Sequence, residues 1–520
     1  MIDLAIRGGD VVDGTGGPER RADVGVDGGR IVAVGDVPEA RRELDVAGKV
    51  VTPGFIDIHS HSDFTLLVDP RAVSAVHQGV TLEVVGNCGF GCFPLLNKEL
   101  APKAIYGHSA DVPLTWTSAA EYFERLEEAR PAINVASLVP NGQIRLSVVG
   151  LADRPARADE LARMRYLLDE ALEQGAYGYS TGLEYAAERG ADEDELVSMC
   201  EVCARRHGLY ATHTRRRDEG ADGAVTEALR TAERSGARLQ VSHLVPRNGL
   251  ESSRRCVELV DERAAAGMDV AFDMHTRLYG TTFLLTALPP SALEDPARLE
   301  EILRSAEERR RLRGYESILS AGRDWSRIVL LDNDAWPAYA RRDIAAIADE
   351  RGQDPLDAVY DLLLGAASDP ASLMVLIHAY TEAQQREAFG HPLCVPGSDA
   401  TTLAPDGPLA GQVFHGAYTW AAWYLRFCVR EQQVLSLPEA VHRLTGAPAA
   451  RLGLSGRGVL RVGAHADLAV FDPAAVQDEG TTFEPSRLAT GIDTVVVNGE
   501  VALAGGEPTG VRAGQVLRRT

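Results

Sequence analysis

Lysine is almost missing from this chain. Lys49, Lys98 and Lys103 are the only three in 520 residues, so nearly all positive charge is arginine and no lysine follows position 103. Long apolar runs are missing too. None reaches the roughly 18–20 residues that cross a bilayer, so no membrane span is expected. The opening segment MIDLAIRGGD breaks its apolar stretch with Asp3 and Arg7, which argues against a signal peptide. Basic excess is absent: 53 Lys+Arg face 75 Asp+Glu, a net charge of −22, and no basic face that would hold nucleic acid is evident. Cysteine is sparse and odd in number. Cys88, Cys92, Cys200, Cys203, Cys256, Cys394 and Cys428 are scattered, which fits a reducing cytoplasm better than a disulfide framework.

What remains is a large globular chain. Its first 50 residues alternate apolar and polar positions around Asp-Gly and Gly-Gly turns, and its last residues do the same around Asn498–Gly499. Residues 1–52 and 451–520 are therefore expected to form one small β-domain from both termini. Residues 53–450 alternate strand and helix signals, which predicts βα units on a parallel sheet, an α/β barrel. Nine strand candidates appear, one more than an eight-stranded barrel needs; LMVLIHAY is the expected surplus. Residues around 285–370 are charged and Arg-rich (LEEILRSAEERRRLRGYES). They read as an insertion, either a lid or a solvated decoration.

Metal-capable side chains fall at the C-terminal ends of the strand candidates, where barrel active sites lie. His59 and His61 share a face at spacing two in FIDIHSH. Cys88 ends EVVGNCG, His213 ends GLYATH, His243 ends RLQVSH and Asp399 closes PLCVPGSD. Each alone reads more readily as a packing residue; five such strand ends together do not. Zinc accepts imidazole, thiolate and carboxylate. Cys88, His213 and His243 supply three ligands with a position left open, and His59, His61 and Asp399 would hold a second ion with Cys88 bridging. Asp399 would move the proton. By contrast, Cys200-x-x-Cys203 sits mid-helix without a second pair and reads as a packed face. The glycines at 14, 16 and 17 lack the βαβ setting of a nucleotide site.

With these residues in view, the chain resembles the amidohydrolase superfamily and, within it, the N-acyl-D-amino-acid deacylases (D-aminoacylases). VTPGFIDIHSHSD and HADLAVFDP carry the superfamily likeness, and VVGNCG with GLEY the deacylase likeness. The resemblance implies a (β/α)8 TIM-like barrel beside a small β-sandwich domain. It implies a tight zinc site at Cys88, His213 and His243, a weaker second site at His59 and His61, and Asp399 as catalytic acid/base. The usual carboxylated lysine bridge of hydantoinase-like relatives is excluded by the lysine count. Glu184, in GLEY, is either a bridging carboxylate or a residue behind the ligands.

Three departures from the family concern substrate recognition. Pro140-Asn141-Gly142 stands where Gly-His-Gly is usual, with Asn141 left as an amide donor. Met274-His275-Thr276-Arg277-Leu278-Tyr279 replaces a Tyr-Pro-Tyr segment; His275, Arg277 and Tyr279 are candidate substrate contacts, Arg277 as a carboxylate clamp or as a surface arginine. No His-Pro-Arg follows Asp399; instead come Phe414, Tyr418, Trp420, Trp423, Tyr424 and Phe427, which line a pocket or, more simply, pack a core. His378 and His415 read as substrate contacts or, more simply, as structural histidines. The expected activity is zinc-dependent hydrolysis of a linear amide, an N-acyl-D-amino acid or related compound. A cyclic amide, imide or lactone hydrolase, or a deaminase, is the alternative on the same metal site. A binding protein on this fold would be expected to have lost ligands, and all six remain. The partner expected is a small-molecule amide, with no nucleic acid and no membrane.

Overall fold

The computed structural model describes residues 1–289, 292–293, 296–315, 317, 319–320 and 323–519. Eight parallel strands form the barrel: β1 (Phe55–Asp57), β2 (Val80–Val85), β3 (Asn134–Pro140), β4 (Gly178–Gly182), β5 (Leu209–His213), β6 (Arg238–Val241), β7 (Val270–His275) and β8 (Cys394–Gly397). They pair in sequence order from β1 to β8. A bridge between Ser60 and Ala400, just beyond β1 and β8, joins the two ends of the sheet. Every residue of β2, β3, β4, β5 and β7 is buried. That two-sided burial is why these segments read as apolar runs without clean alternation.

The helices follow the 3.6-residue periodicity of the sequence. Ala119–Ala129 opens on a capping box, with Ser118 and Glu121 each bonding the other's backbone N–H, and it buries Tyr122, Phe123 and Leu126 on one stripe. The helix Glu193–Arg205 buries Cys200 and Cys203 with Leu196 and Met199, so this cysteine pair packs a helix face as expected.

Strands from both ends of the chain build a β-sandwich. One sheet has four strands, in the order Arg30–Gly35, Asp23–Asp27, Ile2–Arg7 and Ala40–Asp45. The other sets the N-terminal strands Asp10–Val11 and Val50–Pro53 beside the C-terminal strands Leu468–Phe471, Ile492–Val497 and Glu500–Ala504, the two groups joined where Val50–Pro53 pairs with Leu468–Phe471. Leu4, Ile6, Val24 and Val26 pack with Val51, Leu468, Val470 and Val496 in one core between them. The Asn498–Gly499 turn joins two antiparallel strands with both residues at positive φ, +49° and +88°.

Arg277–Glu382, the segment between β7 and β8, is a compact unit of its own. It begins before and ends after the expected 285–370. Its strands Tyr279–Phe283, Ile328–Leu330 and Met374–His378 form an antiparallel sheet, so LMVLIHAY lies outside the barrel sheet. Leu303, Ile344, Ile347, Val359, Leu362 and Val375 form a core within this unit, which is more than a charged helical decoration. Parts of the expected insertion, at 290–291, 294–295, 316, 318 and 321–322, lie outside the described residues.

Candidate metal centre

The chain leaves β1 through two histidines that the end of β8 holds in place. Asp57 Oδ1 accepts the backbone N–H of His59 at 3.1 Å and of Ser398 at 3.0 Å. Asp399 N–H donates to His59 O at 2.8 Å, and His61 N–H to Ala400 O at 2.8 Å. This stitching aims His59, His61 and Asp399 at one point: His61 Nε2 is 3.2 Å and His59 Nε2 3.6 Å from Asp399 Oδ1.

Cys88 arrives from the tight turn after β2. Its φ is +52°, between Gly86 at +79° and Gly89 at +72°. A Cβ on Gly86 would meet Leu138 O at 2.2 Å, and one on Gly89 would meet Glu188 Oε1 at 1.6 Å, so GNCG is the motif this backbone path requires. His243 and Asp399 also occupy left-handed backbone, at +35° and +45°. Such strain concentrates where side chains must be aimed.

The six side chains form two clusters that share Cys88. His59, His61, Cys88 and Asp399 make one, and Cys88, His213 and His243 the other, with the ligand atoms of each within 4.8 Å of one another. Cys88 Sγ is 3.2 Å from His59 Nε2 and 3.5 Å from His243 Nε2. A tetrahedral zinc with Zn–S near 2.3 Å and Zn–N near 2.0 Å would separate sulfur and nitrogen by about 3.5 Å. The donor set and its spacing therefore fit zinc. Burial lowers the pKa of His213 to about 4, with Glu184 opposing, and holds His243 well below its usual value, so both rings are neutral donors at pH 7. Burial also raises the Cys88 thiol. Metal binding there must displace its proton.

Behind this centre stand Glu184, which the sequence marks, and two groups that sequence reading missed, Asp273 and Arg247. Asp273 of β7 accepts from three directions: Oδ1 lies 2.9 Å from His59 Nδ1 and 2.8 Å from the His243 backbone nitrogen, and Oδ2 is 3.1 Å from Gln240 Nε2. Its signal in the sequence was its spacing of two from His275. Arg247 pairs with Glu184, while Glu184 Oε2 lies 2.9 Å from His213 Nε2. Burial opposes ionisation of Glu184, but Arg247 and His213 outweigh it and hold its pKa well below the carboxylate range.

The remaining candidates divide. Asn141 is fully buried and donates Nδ2 to Glu188 Oε2 at 2.7 Å. His275 is buried at the end of β7, its ring centroid 6.5 Å from that of His243. Arg277 and Tyr279 belong to the second compact unit, Tyr279 on a strand facing His378. His415 Nε2 donates to Thr482 O at 2.7 Å, a structural bond. Of the aromatic run, Tyr418, Trp420, Tyr424 and Phe427 are core, and Trp423 stacks on Phe427 at 4.3 Å. Phe414 joins a different group. Its ring is 5.9 Å from Tyr106, Tyr106 is 4.5 Å from Phe90 and 4.6 Å from His61, and Phe90 is 4.8 Å from Tyr185, whose ring is 4.8 Å from His213. This half-buried aromatic wall touches both clusters.

The amidohydrolase family profile matches residues 42–503. The chain is similar to an N-acyl-D-glutamate deacylase of Alcaligenes xylosoxydans xylosoxydans, at 35% identity over 100% of this chain and 97% of that protein. Among solved structures, D-aminoacylase superposes with a TM-score of 0.80 at 31% identity over 100% of both chains. N-acyl-D-glutamate deacylase from Bordetella bronchiseptica, complexed with zinc and a phosphonate mimic of the tetrahedral intermediate, gives 0.79 at 32% identity over 99% of each. This chain belongs to the amidohydrolase family, in its N-acyl-D-amino-acid deacylase branch.

Proposed function

We propose that this protein is a zinc-dependent hydrolase of a linear amide, the N-acyl bond of a D-amino acid or a closely related compound. One observation carries the reading: Cys88, His213 and His243 converge beside His59, His61 and Asp399 at the C-terminal ends of the barrel strands. The zinc deacylases it resembles support it. Cys88, His213 and His243 would hold the tight ion, and His59, His61 and Asp399 a weaker one. Bound zinc supplies Lewis acidity, polarising the acyl carbonyl and lowering the pKa of water from 15.7 to about 7.

The chain's own groups do the rest. Asp399, about a fifth exposed, is reached from solvent. Its carboxylate takes a proton from the attacking water as the C–O bond forms, and returns it to the amide nitrogen as the C–N bond breaks. Asp273 holds the His59 ring. Phe90, Tyr106, Tyr185 and Phe414 favour an apolar substituent next to the scissile amide.

A hydrolysis screen of the zinc-loaded protein against N-acyl-D-amino acids, N-acyl-L-amino acids and cyclic amides tests the reading. Turnover is expected on N-acyl-D compounds, falling about 10²–10⁴-fold in Asp399→Asn. Turnover confined to cyclic amides would overturn the substrate assignment, and an Asp399→Asn variant as fast as the parent would remove the proton carrier.

A further inference from the structure

We propose that Glu184 and Arg247 are a positioning pair that fixes the His213 ring so that Nδ1 is the nitrogen offered to the metal. The inference rests on the zinc-centre reading above and adds how one ligand is oriented. Arg247 donates from Nη1 to Glu184 Oε1 at 3.0 Å and from Nη2 to Oε2 at 2.8 Å. A carboxylate gripped on both oxygens by a guanidinium has no proton to give and can only accept. Glu184 Oε2 lies 2.9 Å from His213 Nε2, so the proton of that bond belongs to Nε2. An imidazole protonated at Nε2 has its lone pair at Nδ1.

Two further observations agree. His59 shows the mirror arrangement: its Nδ1 lies 2.9 Å from Asp273, and its Nε2 is the atom 3.2 Å from Cys88 Sγ. In both rings one nitrogen is tied to a carboxylate and the other turns away from it, toward Cys88 Sγ in His59 and 3.4 Å from the Tyr185 hydroxyl in His213, with the roles of Nδ1 and Nε2 exchanged. In addition, neither ligand cluster among the described residues includes Glu184. Its carboxylate acts through His213, as carboxylates behind metal-binding histidines do.

The test reads zinc directly and involves no substrate, so it is independent of which amide is hydrolysed. Metal-stripped parent, Glu184→Gln, Arg247→Met and the double variant are titrated with zinc against a chromophoric chelator, with circular dichroism as the check on folding. A glutamine amide can donate to Nε2 as readily as accept from it, so it no longer dictates where the ring carries its proton. Glu184→Gln is expected to bind the tight zinc about 10–100-fold more weakly. Arg247→Met should weaken binding in the parent and add little to Glu184→Gln. Parent-like affinity in a folded Glu184→Gln, or fully additive losses, would overturn the pair. Should the variants not fold, the zinc-loaded parent crystal structure decides. Zinc about 2.0–2.1 Å from Nδ1 is expected; zinc on Nε2, or a Glu184 oxygen within about 2.2 Å of zinc, contradicts the proposal.

Discussion

Glu188 gives the sharpest physical prediction, because it is an acid buried beside the site with little to keep it ionised. Its Oε2 accepts from Asn141 Nδ2 at 2.7 Å and its Oε1 from the Gly182 N–H at 3.0 Å, and the residue is 1% exposed. Burial outweighs both bonds and raises its pKa from 4.5 to about 7. In this window the unfolded chain releases the proton and the folded chain keeps it. The stabilisation from the neutral carboxyl is thus complete below pH 4.5 and is lost as the pH rises through about 7. At about 1.4 kcal/mol per pKa unit, the loss amounts to about 3 kcal/mol. Glu188→Gln stays neutral throughout. Its Oε1 can accept from Gly182, and its Nε2 can donate to a rotated Asn141, whose Oδ1 has no hydrogen-bond partner among the described residues. An unfolding entropy of about 1 kcal/mol per kelvin for a chain of this length converts the difference to about 3 °C. Calorimetric midpoints from pH 4.5 to 8.5 should therefore start together and separate, with Glu188→Gln the more stable above pH 7. Parallel curves, or a gap that closes as pH rises, would refute the argument.

Other consequences follow from the same structure. Tyr106→Ala opens the aromatic wall beside His61 and should raise KM for substrates with aromatic acyl or side-chain groups about tenfold while N-acetylglycine changes little; equal effects on both would remove the wall from substrate recognition. Arg145 is fully buried against Glu195 and donates to Ala187 O and Arg154 O. Arg145→Leu strands that carboxylate and should cost about 3–5 kcal/mol, read as a fall in thermal midpoint, whereas a loss under about 1 kcal/mol would mean the pair contributes little.

How much of this was legible in the sequence depended on whether the signal was local. His59, His61, Cys88, His213, His243 and Asp399 each follow an apolar strand, so the barrel topology alone gathers their ends. GNCG announced its turn through its glycines. Asp273 also sat in a recognisable strand, but its partner His59 lies 214 residues away, a pairing that only closure of the sheet creates. Glu184, in a loop after β4, is marked by GLEY, but its partner Arg247 is in a loop after β6 with no periodicity to mark it. The aromatic wall combines residues from three separate loops, and helical spacing near Trp420 drew attention to core residues instead. The Arg277–Glu382 unit was underestimated because its charged helices masked the strands Tyr279–Phe283 and Ile328–Leu330 and the core around them, leaving only LMVLIHAY legible as a strand.

In the proposed function one zinc centre, anchored on the Cys88 sulfur shared by both clusters, performs the hydrolysis. The most direct measurement is a zinc titration of metal-stripped parent and Cys88→Ala protein, following turnover of an N-acyl-D-amino acid at each step. The parent should gain activity in proportion to the first equivalent of zinc, and Cys88→Ala should neither retain that zinc nor recover turnover. Metal-stripped protein that hydrolyses the substrate unaided, or a Cys88→Ala variant that matches the parent, would rule out a zinc centre built on Cys88.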